Sequence, residues 1–356
     1  MELKLDTSKT YAIALEGGGA KGAYEIGVWK ALEQAGVKYN AVSGTSVGAL
    51  NGALMAMRDL TRAIACWRDI HLNKVMDLGA LSEEDVKRLM SGELDELNLQ
   101  GLFGKALEIV RNRGLDVAPL RAWVRDVVDV KRVKESDVQL YISTVSLTDR
   151  KGLEIHVNDL PEEEICDMLL ASAYHPSFRL EKLGGKFYTD GGFVDTLPLH
   201  ALVEAGYKDI IAVRIPGIGW ERHFHIPDDV NITYIQPWSD LGFVLNFDAE
   251  QARRDLEIGY LDGKRALYGL AGRRYYLERS MTEREALDWI LEHRDDAAGS
   301  LRVFLEDELP RQARRLKAEE GDYYELMTTL LEERAQQKEI DPLEIRTDRE
   351  LIKLAE

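Results

Sequence analysis

A serine between two glycines is the residue of this 356-residue chain best suited to act as a nucleophile. The segment Gly44-Thr45-Ser46-Val47-Gly48 has the pattern G-x-S-x-G, which is typical of a sharp turn between a strand and a helix. Such a turn needs Gly44 and Gly48 because Cβ atoms would clash there. It lifts the serine hydroxyl above the sheet edge, and the helix N-terminus favours developing negative charge. The pentapeptide alone is also compatible with a turn in which Ser46 only caps the helix.

A second glycine-rich segment, Gly17-Gly18-Gly19-Ala20-Lys21-Gly22, could bring several backbone N–H groups onto one anion. It also satisfies the dinucleotide fingerprint G-x-G-x-x-G, but that fingerprint needs an acid roughly 20 residues later, and residues 37–43 contain none. A phosphate-binding P-loop is disfavoured because Lys21 has neither the required spacing nor a following Ser or Thr. An oxyanion hole formed by Gly17, Gly18 and Gly19 remains, with no chemical role assigned to Lys21.

The hydroxyl of Ser46 needs a base. In a conventional hydrolase an acid and then a histidine follow the serine, but the only histidine in the last third of the chain, His293, lies in a highly charged helical stretch. A better candidate is Asp190, which ends a short strand-like run and is followed by Gly191 and Gly192. A carboxylate is a weak base, so this pair needs a dry site. The alternative is that Asp-Gly-Gly forms only a tight turn.

The elements that must position these residues follow an alternating pattern. Short apolar runs alternate with amphipathic stretches, which predicts a mostly parallel sheet with right-handed helical crossovers. Strands are predicted at residues 11–15, 41–43, 139–147 and 209–215, and helices at 23–34, 47–57 and 198–205.

The chain is predicted to have two parts. Residues 1–277 form the catalytic domain, with a charged helical insert at 70–130 that could cap the active site or be a plain decoration. Residues 278–356 form an acidic helical C-terminal extension, which opens with a capping box at Thr282 and Glu285.

Composition restricts the partners. The net charge of −17 disfavours nucleic acid and electrostatic adsorption to anionic lipid, so any membrane contact must rest on a local apolar surface. The two cysteines, Cys66 and Cys166, form neither a disulfide framework nor a metal-ligand pattern, which indicates a reducing, cytoplasmic compartment. The N-terminus lacks the apolar run of a secretory signal. The uncharged stretch 39–57 is too polar to cross a membrane.

The three segments, in this order, resemble the patatin-like phospholipase family and its bacterial soluble members. That family has a G-G-G-x-[KR]-G oxyanion loop, a G-x-S-x-G nucleophile turn and a D-G-G acid, and its A-S-x-A-x-P segment matches residues 171–176 here. The similarity covers residues 10–277. Tyr174 replaces a small residue, so the pocket wall is expected to differ there. Asp195 stands where the family often has asparagine, a change expected to affect loop stability more than chemistry.

The resemblance implies a three-layer α/β/α fold related to the α/β-hydrolases. It implies a Ser46–Asp190 dyad that uses no metal and no cofactor, and the Gly17–Gly19 N–H groups as the oxyanion hole. The expected function is a serine lipid acyl hydrolase, of phospholipase A or esterase type, acting on a lipid or phospholipid substrate through an acyl-enzyme with transient membrane contact. Two alternatives remain: an acyltransferase or thioesterase on the same dyad, and a non-catalytic lipid-binding or regulatory protein on this fold.

Overall fold

The computed structural model describes residues 3–77, 114–294, 300–319 and 321–356. The chain divides into two compact units, one of Asp6–Gly263 and one of Met1–Leu5 with Lys264–Glu356. The domain boundary predicted between residues 277 and 278 stays a prediction. Most of the predicted insert at 70–130 falls on residues 78–113, which lie outside the described residues.

The larger unit contains one mixed sheet of seven strands. The strands are β1 Thr10–Leu15, β2 Lys38–Thr45, β3 Gln139–Ser146, β4 Lys151–His156, β5 Tyr188–Asp190, β6 Asp209–Val213 and β7 Asn231–Ile235. Their order is β4-β3-β2-β1-β6-β7, and β5 pairs with β3. The pairs β1–β2, β2–β3, β1–β6 and β6–β7 are parallel, whereas β4 and β5 run antiparallel to β3. The predicted mostly parallel central sheet is therefore confirmed.

Helices connect and flank these strands. They are α1 Ala23–Gln34, α2 Val47–Ala56, α3 Leu60–Arg68, α4 Leu72–Val75, α5 Ala118–Val127, α6 Val130–Lys134, α7 Glu162–Ser172, α8 Leu199–Glu204 and α9 Ala249–Tyr268. Short 3-10 turns lie at Gly19–Gly22, Val157–Asp159 and Gly191–Phe193.

Both faces of the sheet are covered, as β1 illustrates. Successive side chains of a strand point to opposite faces. Ala12 and Ala14 belong to a buried cluster with Leu199 and Leu202 of α8. Leu15 points to the opposite face of the sheet, towards α2, since a Cβ atom at Gly48 of α2 would lie 3.0 Å from the Leu15 Cβ. Helices therefore pack on each side, which is the predicted three-layer arrangement.

The smaller unit has its own apolar core, with Tyr275, Phe304 and Leu331 among its most buried members. Its helices are α10 Glu283–Glu292, α11 Leu301–Val303, α12 Leu309–Leu316, α13 Tyr323–Gln337 and α14 Asp348–Ala355, with a π-helical turn at Phe304–Glu308. The predicted capping box opens α10. The extension is not entirely helical, since β8 Tyr276–Glu278 pairs in parallel with β9 Ile345–Thr347.

Among the described residues, none of the helices is sufficiently long and apolar to span a bilayer. Cys66 and Cys166 are both free thiols.

Candidate active site

Ser46 occupies a strained turn between β2 and α2. Its backbone angles are φ 55° and ψ −122°, in the left-handed half of conformational space that β-carbon-bearing residues rarely adopt. The flanking glycines make this turn possible, because a Cβ atom at Gly44 would lie 2.2 Å from the carbonyl oxygen of Gly48. At Gly48 a Cβ atom would lie 2.6 Å from the carbonyl oxygen of Leu15. The steric reason for the G-x-S-x-G spacing is thus visible at both glycines.

The sheet register brings Asp190 to this turn. On β3, Ser143 is paired with Thr45 at the end of β2, and the next residue, Thr144, is paired with Asp190 at the end of β5. The last residues of β2 and β5, which are far apart in sequence, therefore pair with consecutive residues of β3. Ser46 follows Thr45 directly, and its Oγ donates a hydrogen bond of 2.6 Å to Oδ2 of Asp190.

The glycines after Asp190 have separate tasks. The N–H of Gly192 donates to Oδ1 of Asp190 at 2.8 Å, which fixes the carboxylate orientation. Gly191 packs against β3 so closely that a Cβ atom would lie 2.2 Å from the carbonyl oxygen of Ser143. The D-G-G sequence does form a tight turn, and that turn holds the carboxylate against Ser46.

Burial changes the acidity of Asp190, which is only 9% exposed. Loss of water disfavours the charged form and raises the pKa of Asp190 from 3.8 to about 6. The hydrogen bonds from Ser46 and Gly192 act in the opposite direction, because both stabilise the carboxylate. A carboxylate with a raised pKa is a stronger base than an ordinary aspartate.

The glycine loop lies at the same cavity, and its N–H groups are not equivalent. The Gly17 N–H donates to the carbonyl of Thr196 at 2.8 Å and is therefore already engaged. Within the described residues, the N–H groups of Gly18 and Gly19 donate no hydrogen bond to another backbone group. Gly19 has a φ of 57°, and a Cβ atom there would lie 2.1 Å from the carbonyl oxygen of Val244.

The remaining residues of the loop motif are structural. Lys21 donates from Nζ to the carbonyl of Pro216 at 2.8 Å. Gly22 gives space to the nucleophile helix, since a Cβ atom would lie 2.5 Å from a methyl group of Val47. Both residues lie against neighbouring segments, and the absence of a chemical role for Lys21 stays a prediction.

Ser172 is a supporting residue whose role the sequence did not disclose. Its buried hydroxyl accepts the Ser46 N–H at 3.0 Å and donates to the Ser143 carbonyl at 2.7 Å. It therefore connects the strained turn to β3. The A-S-x-A-x-P segment contained this serine, but the pattern gave no reason to connect it with the backbone of Ser46.

Tyr174 is not itself among the described residues that line the cavity, and the expectation that the pocket wall differs there stays a prediction. Its ring is buried and packs edge-on against Phe178, which does line the cavity. Its hydroxyl donates to the carbonyl of Arg179 at 2.7 Å. Its backbone carbonyl accepts the Asp190 N–H at 2.9 Å, so the segment helps to position the acid.

Among the described residues, those histidines that form hydrogen bonds form them elsewhere than with Ser46 and Asp190. His175 lines the cavity, but its Nδ1 lies 2.9 Å from Ser177 Oγ, and burial lowers its pKa. In the described part of the chain, no hydrogen bond joins His175 to Ser46 or Asp190.

The pair opens into an apolar cavity of about 400 Å³. This is within the range of small-molecule sites. Its inner wall consists of apolar side chains from α2 to α5, among them Leu50, Trp67, Met76, Leu120 and Trp123. Apart from Asp190, the only ionisable residue in the described lining is His175. A wall of this composition is suited to contact a hydrocarbon chain.

Asp195 joins the segments beside the oxyanion loop. It is buried, and its Oδ1 accepts the N–H groups of Leu197 at 3.2 Å and Arg222 at 3.3 Å. Burial raises the pKa of Asp195 from 3.8 to about 7. The neighbouring Thr196 carries the carbonyl that engages Gly17. The expectation that the departure from asparagine affects loop stability more than chemistry stays a prediction.

One described group of side chains has ligand atoms close enough to share a metal ion: Glu154, His200 and Glu204. The Glu154 carboxylate is already paired with Arg222 at 2.9 Å and with His200 at 3.0 Å. The contact with Arg222 is an ion pair and the contact with His200 is a hydrogen bond, and neither involves Ser46 or Asp190.

A model of the patatin-like phospholipase family matches residues 13–203, which is more than half of the chain. The chain belongs to the patatin-like phospholipase family. The matched range contains the glycine loop, Ser46 and Asp190. The match confirms the predicted family and agrees with the predicted class of enzyme, a hydrolase of ester bonds.

Relatives have been found in animals. Human patatin-like phospholipase domain-containing protein 6 is 56% identical over 216 residues, which cover 59% of this chain and 14% of that protein. Neuropathy target esterase sws of Drosophila melanogaster is 26% identical over 214 residues, which cover 59% of this chain and 13% of that protein. The chain thus spans about one-seventh of the length of these curated relatives. Among solved structures, VipD from Legionella pneumophila has 15% identity and a TM-score of 0.45, covering 97% of this chain and 82% of VipD.

Proposed function

We propose that this chain is a serine lipid acyl hydrolase that cleaves carboxylic esters of lipids through a Ser46–Asp190 dyad. The observation that carries the proposal is the 2.6 Å hydrogen bond from Ser46 Oγ to Asp190 Oδ2, two residues that line an apolar cavity. A serine hydroxyl becomes nucleophilic when a base accepts its proton, and Asp190 is the group in contact with it. Family membership and the names of the relatives, which include a phospholipase domain and an esterase, support the same chemistry.

In the first half of the reaction, Asp190 accepts the Ser46 proton while Oγ attacks the ester carbonyl carbon. The carbonyl oxygen becomes an oxyanion, and the free N–H groups of Gly18 and Gly19 are its donors in this proposal, supported by the positive helix N-terminus after Ser46. When the carbon–oxygen bond of the ester breaks, the leaving alcohol takes the proton from Asp190. The acyl group remains on Ser46.

In the second half, water replaces the alcohol. Asp190 accepts a proton from water as the water attacks the acyl carbon, and Ser46 Oγ leaves and recovers that proton. The fatty acid then departs. An aspartate is poorly basic in water, so the raised pKa of Asp190 supports its assignment to both proton transfers.

The test compares three serine and aspartate variants on a soluble chromogenic acyl ester and on a panel of phospholipids and lysophospholipids. Ser46→Ala and Asp190→Asn should each lower the turnover by about 10³-fold or more, since each removes a member of a catalytic unit. Ser43→Ala is the matched control. Ser43 is buried on β2, the strand that leads to Ser46, and its hydroxyl has no hydrogen-bond partner among the described residues. It should retain wild-type turnover.

A fluorophosphonate probe provides an independent readout. It should add covalently to the wild type and to Ser43→Ala at Ser46, as seen by mass spectrometry of the peptide, and not to Ser46→Ala. Wild-type turnover by purified Ser46→Ala would refute the dyad. Release of free fatty acid in water, with no transfer of the acyl group to an added alcohol, distinguishes hydrolysis from acyl transfer.

A further inference from the structure

Four large apolar side chains stand exposed around the mouth of the cavity. Phe193, Ile218 and Trp220 line its edge, and Phe243 directly precedes Val244 of the lining. Ile218 and Trp220 are 76% and 73% exposed, the two highest values for large apolar residues in the described chain. We call Phe193, Ile218, Trp220 and Phe243 the apolar rim.

The backbone of the apolar rim is held in place and is not a loose loop. The Trp220 N–H donates to the Gly192 carbonyl at 2.8 Å, and the Trp220 carbonyl accepts the Thr196 N–H at 2.8 Å. Gly219 packs so tightly that a Cβ atom would lie 2.3 Å from the Gly192 carbonyl oxygen. The side chains are therefore presented to solvent by a fixed scaffold, and a concentrated, ordered apolar patch marks an interaction site.

The charges around the apolar rim indicate what kind of surface it can bind. Residues 191–194, 216–220 and 241–247 contain no charged side chain. Arg222, which follows this region, is paired with Glu154 at 2.9 Å. The chain carries a net charge of −17, so an anionic surface would repel it. The Lys21 ammonium, which donates to the Pro216 carbonyl at 2.8 Å, adds one positive charge beside these segments, and that is too little to compensate.

We propose that the apolar rim docks the cavity mouth onto a zwitterionic phospholipid surface. The inference rests on the proposed lipid hydrolase function, because the rim surrounds the path to Ser46 and a lipid surface is the partner that can supply substrate through it. Tryptophan favours the headgroup region of a bilayer, and phenylalanine is common on the apolar faces by which peripheral segments bind membranes. A protein bound on the rim would instead close the path.

The experiment measures binding in the Ser46→Ala background, so that vesicles are not digested and the result does not depend on turnover. Trp220 is the only exposed one of the six tryptophans, all of which lie in the described part of the chain. Adding phosphatidylcholine vesicles should shift the emission to shorter wavelength, and brominated acyl chains should quench it. Replacing a third of the lipid with phosphatidylserine should weaken binding.

Substitutions distinguish vesicle binding through the apolar rim from non-specific adsorption by exposed apolar side chains. Trp220→Ser should weaken vesicle affinity, measured by flotation, about tenfold, the effect of losing one large apolar side chain at an interface (about 1.4 kcal/mol). Trp220→Phe should restore most of the affinity while losing the fluorescence shift. Leu180→Ser is the matched control, because Leu180 is 54% exposed but does not line the cavity, and it should bind like the parent.

Equal vesicle binding by Trp220→Ser and the parent would overturn the proposal, as would tighter binding to anionic vesicles. A rim substitution that changes the oligomeric state on size-exclusion chromatography would reassign the rim to self-association. If wild-type protein hydrolyses the soluble ester but Ser46→Ala does not bind vesicles, the docking proposal fails and the proposed hydrolase stands. If Ser46→Ala binds vesicles through the rim but the wild type hydrolyses no ester, the proposed hydrolase fails and the docking surface stands.

Discussion

Replacing Asp190 with asparagine should abolish hydrolysis and, at neutral pH, make the protein more stable. Asparagine has nearly the shape of a protonated aspartate, and its carbonyl oxygen can still accept the Gly192 N–H that now binds Oδ1. Its amide can donate to Ser46 Oγ in place of the present contact. The substitution removes a desolvated negative charge, and the burial of that charge costs free energy of folding.

The size of the effect follows from the pKa of Asp190, which burial raises from 3.8 to about 6. Each tenfold change in acidity corresponds to 1.36 kcal/mol, so the ionised carboxylate costs about 3 kcal/mol in the folded state. The folded state holds its proton more tightly than the unfolded chain does. The penalty is therefore absent below about pH 4, grows between pH 4 and 6, and is complete above about pH 6.

The assay is thermal unfolding of wild type and Asp190→Asn between pH 4 and 8, followed by near-ultraviolet circular dichroism. At pH 7.5 the variant's larger unit should melt about 6–12 °C higher, and the difference should vanish towards pH 4. Asp149→Asn is the control with the opposite sign, because hydrogen bonds from Lys186 and Ser146 lower the pKa of Asp149. If Asp190→Asn melts at or below the wild type at every pH, the carboxylate is not destabilised by burial and the reasoning fails.

Three further predictions concern the same site. The value of kcat/KM on a soluble ester should rise about tenfold per pH unit below pH 6 and level off above it, because Asp190 must be ionised to act as a base. Ser46→Gly should be more stable to denaturant than Ser46→Ala by about 1–2 kcal/mol, because glycine relieves the strain at φ 55° while both lack the hydroxyl. Ser172→Ala should cost about 1–3 kcal/mol of stability and lower kcat more than it raises KM, because it leaves the Ser46 N–H unpaired; unchanged kcat would exclude a positioning role.

The local sequence is sufficient to predict those elements whose structure is determined by contacts within one segment. The helix Ala23–Gln34 has the predicted limits, and β1, β3 and β6 differ from the predicted strands by only one or two residues. The strand–turn–helix around Ser46 was predictable because the glycine spacing is dictated by contacts within one turn. Asp190 was predicted as the base from elimination of the histidines and from family resemblance, and the structure brings it to Ser46.

What the sequence did not disclose depends on contacts between distant segments. The antiparallel pairing of β5 on β3 brings Asp190 to Ser46, yet β5 has only three residues and its register is decided by its neighbours. The link from Ser172 to Ser46 joins residues 126 positions apart, and no local pattern encodes it. The apolar rim was hidden for the same reason, because residues 216–220 and 241–247 have no helical or strand period.

The sign of the stability changes distinguishes a catalytic pair from a structural one. A serine and an aspartate retained only to cap α2 and close a turn should be favourable where they stand, so substitution should weaken the fold. Here Ser46 is held at a strained positive φ, and Asp190 is held as a charge out of water. Both arrangements cost free energy that the surrounding sheet must offset. Relief of that cost in Ser46→Gly and Asp190→Asn, together with loss of hydrolysis, would identify residues positioned for chemistry at the expense of stability.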